Sequence, residues 1–270
     1  MLCHGHDRLI AAPRHCQFGR ERRISSPPAT LGEGIAGAPL LPPITDATHS
    51  LGTDRLARDI AAGLAHGART SLLVGVTAAA VAVTLGALVG TLAGFAGGVG
   101  DEVLMRVVDA FQIVPGFLLA LAFVSVAGPS VAVVVLAIAL GAWTAPARVA
   151  RAEVLSIRSR DFVSAARVLG MHPLEIAFRE VLPLALPPVL ALSSVITAGA
   201  ILTEAALSFL GLGDPHVVTW GGMIAEGRAV LRSAPWLSIL PGVALMLTVV
   251  GVYLLSEALV ETLSRRERQG

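Results

Sequence analysis

The sequence predicts an all-α protein that crosses a membrane several times, and three observations carry the prediction. Hydrophobic residues make up 54% of the chain and charged residues only 14%, against about 45–50% and about 25% in a soluble domain. Long stretches contain no charged residue, each long enough to cross a bilayer, which takes about 20 apolar residues. Short alternating apolar and polar segments, the mark of a membrane barrel, are absent. Helices follow because lipid offers no partner for an unpaired backbone group.

The elements can be taken in order. Residues 1–38 are polar, with Arg8, Arg14, Arg20, Arg22 and Arg23. They hold neither a span nor the short apolar core of a secretory signal. Cys3, His4, His6, His15 and Cys16 lie here at spacings that match no metal-ligand pattern. Two cysteines make no disulfide framework. Residues 39–69 read as an extracytoplasmic lead-in. The charge-free run from Thr70 to Gly100 gives a first span, roughly 70–97. The run from Ala110 to Ala147 holds two more, roughly 104–127 and 130–150, parted by the turn sequence Gly128-Pro129-Ser130. Val181 to Thr203 seeds a fourth, roughly 181–207, and Ser233 to Ser256 a fifth, roughly 236–260. Residues 261–270 form a polar tail.

Arginine placement sets the orientation. Arg148, Arg151, Arg158, Arg160, Arg167 and Arg179 lie between the third and fourth spans, and Arg265, Arg266 and Arg268 in the tail. The positive-inside rule puts both on the cytoplasmic side. Arg55, Arg58, Arg69, Arg228 and Arg232 then fall outside, so the bias is a majority one. All basic residues are Arg, and a net charge of +1 gives no footing for nucleic acid as a partner. The chain lacks the G-x4-G-K-[ST] loop that cradles nucleotide phosphates. It also lacks a nucleophile–base set, so a non-catalytic role is expected, with no cofactor and no metal.

The most informative stretch runs from Asp161 to Pro188. Phe162, Ala165, Ala166 and Leu169 fall at i, i+3, i+4 and i+7, one stripe of a helix. Gly170 can close that helix in a left-handed conformation, and Pro173 suits the first turn of another. Leu174, Ala177, Phe178 and Val181 continue an apolar stripe into the fourth span. The expected shape is helix, tight turn, helix, suited to seating in a groove of a soluble partner. A helix-turn-helix DNA reader has a similar outline, but its place between bilayer spans rules against it.

Ser164-Ala165-Ala166, then Gly170, then Leu182-Pro183 resembles the EAA loop of ABC importer permeases, E-A-A-x3-G-x9-I-x-L-P. Ser164 stands at the Glu position and Glu180 at the Ile position. Other segments resemble the dipeptide and oligopeptide branch of that family. They include His49 to Asp54, Arg58-Asp59, Gly67 to Leu72, Leu104-Met105-Arg106 with Val108-Asp109 and Pro115, and Leu118-Leu119-Ala120. Further on they include Glu204-Ala205, Leu207 to Gly213, Trp220-Gly221, Ala225 to Arg228 and Ala234-Pro235-Trp236. The likeness runs from about Leu41 to about Leu263 and is strongest to the C-type member of the paired peptide permeases.

The resemblance implies a type I ABC importer transmembrane domain over 70–260. Residues 156–182 would be its coupling loop, with Phe162, Ser164, Ala165, Ala166, Leu169, Gly170, Leu182 and Pro183 docking on an ATPase. It implies further partners: a second homologous permease, an extracytoplasmic substrate-binding protein and the lipid bilayer of a prokaryotic inner membrane. Import of di- or oligopeptides is the expected function. Nickel chelates or glutathione are alternative cargoes of the same machinery. An ion-coupled secondary transporter and a truncated remnant are the rivals of another class. The family has a sixth helix ahead of the first span found here, so residues 1–38 are expected to lie outside the family pattern, through a misassigned start, a truncation or a frameshift.

Three residue groups outside the loop remain candidates. Asp109 is expected to pair with Arg106 at i+3, and Glu204 to lie at an interface or pair with an arginine. Trp220 and Trp236 are expected as interfacial anchors beside a surface for the binding protein.

Overall fold

A computed structural model describes residues 39–44 and 49–267, with side chains to Leu255. The expectations for residues 1–38 lie outside the described residues. Eleven α-helices and one π turn make up the described chain.

Helix α1, Ile60–Ala96, is 37 residues long, about 55 Å at the α-helical rise, and outreaches the bilayer. It starts ahead of its charge-free run because Asp59 caps it, its carboxylate accepting from the Ala61 and Ala62 amides. Helices α2, Gly98–Ile113, and α3, Gly116–Ala127, replace the expected single span over 104–127 and meet at 82°. Pro115 causes the break: it has no N–H to give, and its ring forces Val114 into extended backbone, φ −85° and ψ 124°.

After the turn at Gly128, φ +89°, Ser130 caps α4, Val131–Ala142, by accepting from the Val133 amide. Helix α5, Thr144–Ile157, continues at 46° beyond Trp143 and carries the chain past the expected end at 150. Two short helices, α6, Asp161–Val168, and α7, Pro173–Glu175, lead into the π turn Ile176–Val181. Helices α8, Leu182–Ala191, and α9, Ser193–Phe209, follow, with a 50° bend in the span. Helix α10, Trp220–Arg228, is short, and α11, Trp236–Glu267, is the last. Among the described residues two helices are long and apolar enough to cross alone, and up to five spans result, by length and composition, if each bent pair counts as one. That agrees with the count read from the charge-free runs.

α1 is the central post. Val74 and Ala78 pack with Val124 of α3, Val134 and Ile138 of α4, and Ala200 and Leu207 of α9. Towards its other end α1 lies against α5 along Gly86, Gly90 and Gly94, spaced one turn apart. A methyl placed on Gly90 would overlap the Ala147 carbonyl and stand 2.8 Å from the Ala150 Cβ. Without the hydrophobic effect to press helices together in lipid, such close backbone approach supplies the dispersion energy that does. α11 shows the opposite character: Met246, Leu247, Leu254 and Leu255 all face outward, as a lipid-facing helix requires.

Candidate functional site

The helix–turn–helix loop forms as its residues predict. Gly170 has φ +80°, and the amides of Gly170 and Met171 donate to the Arg167 and Ala166 carbonyls, closing α6. His172 caps α7 with a ring nitrogen accepting from the Leu174 amide, and Pro173 takes the first position. The π turn that follows was not expected. The Leu182 amide donates to the Ala177 carbonyl, five residues back. Pro183 sits just beyond, and the wider turn relieves the clash of a proline ring with the carbonyl four residues before it.

The helix is rotated relative to the single stripe expected. Val163 and Ala166 face inward, with Val154 and Ile157 of α5, Ile176, Val181 and Ala185. Phe162, Ser164, Ala165, Leu169 and Gly170 face outward. So Ala166 is a packing residue and the others form a surface. That surface is apolar: Leu169 is 82% exposed, Val168 88% and Leu174 53%. Leu182 is half-buried with Val189, beside Ala87 and Ala150, and Pro183 is exposed. Spacing could not settle the rotation, because Val163/Ala166 and Phe162/Ala165 share the same i, i+3 interval. Ile176, fully buried, was missed for the same reason.

Polar contacts fix the loop's root. Arg151 of α5 makes two hydrogen bonds to the Asp101 carboxylate, 2.6 and 2.7 Å, tying α2 to α5. These bonds hold the Asp101 carboxyl below its ordinary value, burial working against them. The Arg158 guanidinium donates to the Gly94 carbonyl at 2.8 Å, closing the end of α1. Arg167 lies over the Phe95 ring at 5.7 Å. Through Arg167 α6 bears on α1, and through the buried cluster of Val163 and Ala166 on α5 and α8.

Three expectations change. Asp109 pairs with Arg148 of α5, 2.6 Å away, not with Arg106, which reaches back to Glu102 at 3.2 Å. The tertiary fold brings α5 nearer than the helical neighbour. Glu204 is 2% exposed and has no arginine; it accepts from the Ser71 hydroxyl at 2.9 Å and the Ser208 hydroxyl at 2.7 Å. Trp220 is buried, its indole N–H donating to the Leu64 carbonyl at 3.0 Å, so it packs inside the protein and does not reach lipid. Among the described residues no group of three or more His, Cys, Asp or Glu is placed to hold a metal. The N-terminal Cys and His residues lie outside those described.

The family described as "Binding-protein-dependent transport system inner membrane component" matches residues 67–269. A probable peptide ABC transporter permease of Sinorhizobium fredii is 40% identical over 219 residues, 81% of this chain and 75% of that protein. A di/tripeptide transport system permease of Pseudomonas aeruginosa is 38% identical over 79% of this chain and 71% of its own length. Among solved structures, the MetNI methionine ABC transporter in an inward-facing conformation shares the fold. Its TM-score is 0.59 at 18% identity, over 74% of this chain and 95% of that one. With the all-α fold, the bent spans and the exposed helix–turn–helix in place, the chain belongs to the inner membrane components of binding-protein-dependent transport systems, the permeases of ABC importers.

Proposed function

We propose that the chain forms half of the translocation pathway of an ATP-driven importer of di- and oligopeptides, in the cytoplasmic membrane of a prokaryote. The observation that carries this is the likeness, over four-fifths of the chain, to a probable peptide permease and, nearly as far, to a di/tripeptide permease. A second, homologous permease would supply the other half. Two ATPase subunits would hydrolyse ATP, and an extracytoplasmic binding protein would deliver cargo. In this reading the tail and the α6–α7 loop lie in the cytoplasm and α10 lies outside, as the arginine bias directs.

Residues 156–182 act as the coupling loop. Phe162, Val168, Leu169 and Leu174 seat on the ATPase through an apolar surface large for a solvated turn. Closure of the ATPases on ATP pushes α6, and its buried Val163 and Ala166 pass the push to α5 and α8. Such a shift is biased only if ATP favours one of the two permease states.

The test is co-purification from membranes holding this chain, its candidate ATPase and its candidate second permease. Wild type should recover the ATPase, and Leu169→Glu and Gly170→Asp should lose it while still recovering the second permease. If neither wild type nor variants recover the ATPase, the proposal falls. A second cargo has support of its own: a glutathione permease of Pectobacterium atrosepticum is 37% identical over 80% of this chain. Competition of dipeptide uptake by glutathione separates the two.

A further inference from the structure

The sequence segments around Glu204, Leu207 to Gly213 and Trp220-Gly221 take no part in the coupling loop, yet the fold brings them to one place. Glu204 of α9 is 2% exposed and Ser71 of α1 wholly buried. The Ser71 hydroxyl donates to the Glu204 Oε2 and at the same time accepts from the Trp220 amide, 3.4 Å away. Ser208, one turn along α9, donates to the Glu204 Oε1. The result is a directed chain: Trp220 N–H to Ser71, Ser71 O–H to Glu204, with Ser208 O–H satisfying the second oxygen.

Trp220 is the first residue of α10, so its amide is one of the donors a helix leaves unpaired at its start. In most helices water or the cap meets that donor. Here the cap, Thr219, accepts from the Gly222 amide instead, and the Trp220 amide is met by another helix. A carboxylate near a helix start is also favoured by the helix dipole. Close packing surrounds the chain: a methyl on Gly221 would overlap the Ala205 carbonyl, and one on Gly67 would stand 2.9 Å from the Trp220 ring. An ionisable group in a membrane protein's interior is costly to bury. Simple packing of α10 would need only the glycines and the indole.

We propose that Glu204 is a positioning residue that, through Ser71, clamps α10 to α1 and α9, so that contact at α10 moves the membrane helices as one body. The link to cargo delivery rests on the reading above that α10 faces the binding protein. The clamp itself does not rest on it.

The experiment uses the full chain in lipid nanodiscs with its partner subunits. Amide exchange of Trp220–Arg228 should quicken about tenfold in Ser71→Ala, which removes the acceptor of the Trp220 amide, and by a smaller factor in Glu204→Ala, where the Ser71 hydroxyl can still accept from that amide but is no longer held by the carboxylate. Glu204→Gln keeps one oxygen to accept from one of the two hydroxyls and turns the other into an N–H donor, so its exchange should fall between wild type and Glu204→Ala. Exchange in α4 serves as the internal reference for folding and should not change. Unchanged exchange of α10 in both Glu204→Ala and Ser71→Ala overturns the clamp. The second readout is ATPase rate with and without loaded binding protein. Ser71→Ala should keep the basal rate and lose several-fold of the stimulation. Stimulation kept in full while α10 exchange quickens overturns the transmission role. If the wild type itself is not stimulated, it is the outward reading of α10 that fails, and amide exchange still decides the clamp.

Discussion

Replacing Gly90 by Ala tests the packing on which the whole fold depends. An alanine Cβ there would overlap the Ala147 carbonyl, and stand 2.8 Å from the Ala150 Cβ and 2.9 Å from the Arg151 amide. Ordinary contact begins near 3.4 Å, so α1 and α5 must part by at least about 0.5 Å at Arg151 and further at Ala147. A gap of about 0.5–1 Å forfeits roughly a quarter to a half of each dispersion contact it opens. Because Gly86 and Gly94 flank the site on the same stripe, the loss spreads along the helix pair. Overpacking of this kind costs about 1–3 kcal/mol. For a chain of this size that lowers the melting temperature by roughly 3–10 °C. The assay is thermal unfolding of the detergent-solubilised chain, followed by tryptophan fluorescence. Gly199→Ala is the control. Nothing stands within 4 Å of a methyl there, so it should be neutral or gain up to about 1 kcal/mol from helix propensity. If Gly90→Ala melts at or above the wild-type temperature while Gly199→Ala behaves as expected, α1 and α5 are not in backbone contact and the packing argument is wrong.

Other consequences are more local. Arg151→Lys loses the two-pronged bond to Asp101 and should cost about 1 kcal/mol, since the guanidinium is still a third exposed; a double-mutant cycle with Asp101→Asn measures the coupling. The hydrogen bonds from Arg151 hold the Asp101 carboxyl below the ordinary carboxylate range. The pair's contribution is therefore complete above about pH 4 and lost only as pH falls through the lower folded value, so melting temperatures of wild type and Asp101→Asn should differ by a constant amount from about pH 8 to about pH 5. Gly170→Ala must adopt φ +80° and should cost about 1 kcal/mol, with Gly170→Asn costing less. Both should recover the ATPase better than Gly170→Asp, which adds a charge to the apolar surface.

The sequence alone determined the all-α, membrane-crossing character, the turn at Gly128 and the helix–turn–helix at Gly170. These depend on local chemistry: an uncharged run long enough for lipid, a residue tolerant of positive φ, a proline at a helix start. It also placed Leu169, Gly170 and their neighbours in one exposed loop. Two kinds of feature needed the tertiary structure. One is direction within an element, such as the rotation that turns Val163 and Ala166 inward, or the size of the bend at Pro115; equal spacings and a single proline do not encode these. The other is partnership between distant segments: Asp109 with Arg148, Asp101 with Arg151, and Glu204 with Ser71 and Ser208. Each carboxylate takes whichever donor the packing of α1, α5 and α9 presents, and that packing is set by glycines that let backbones touch rather than by any charge pattern along the chain.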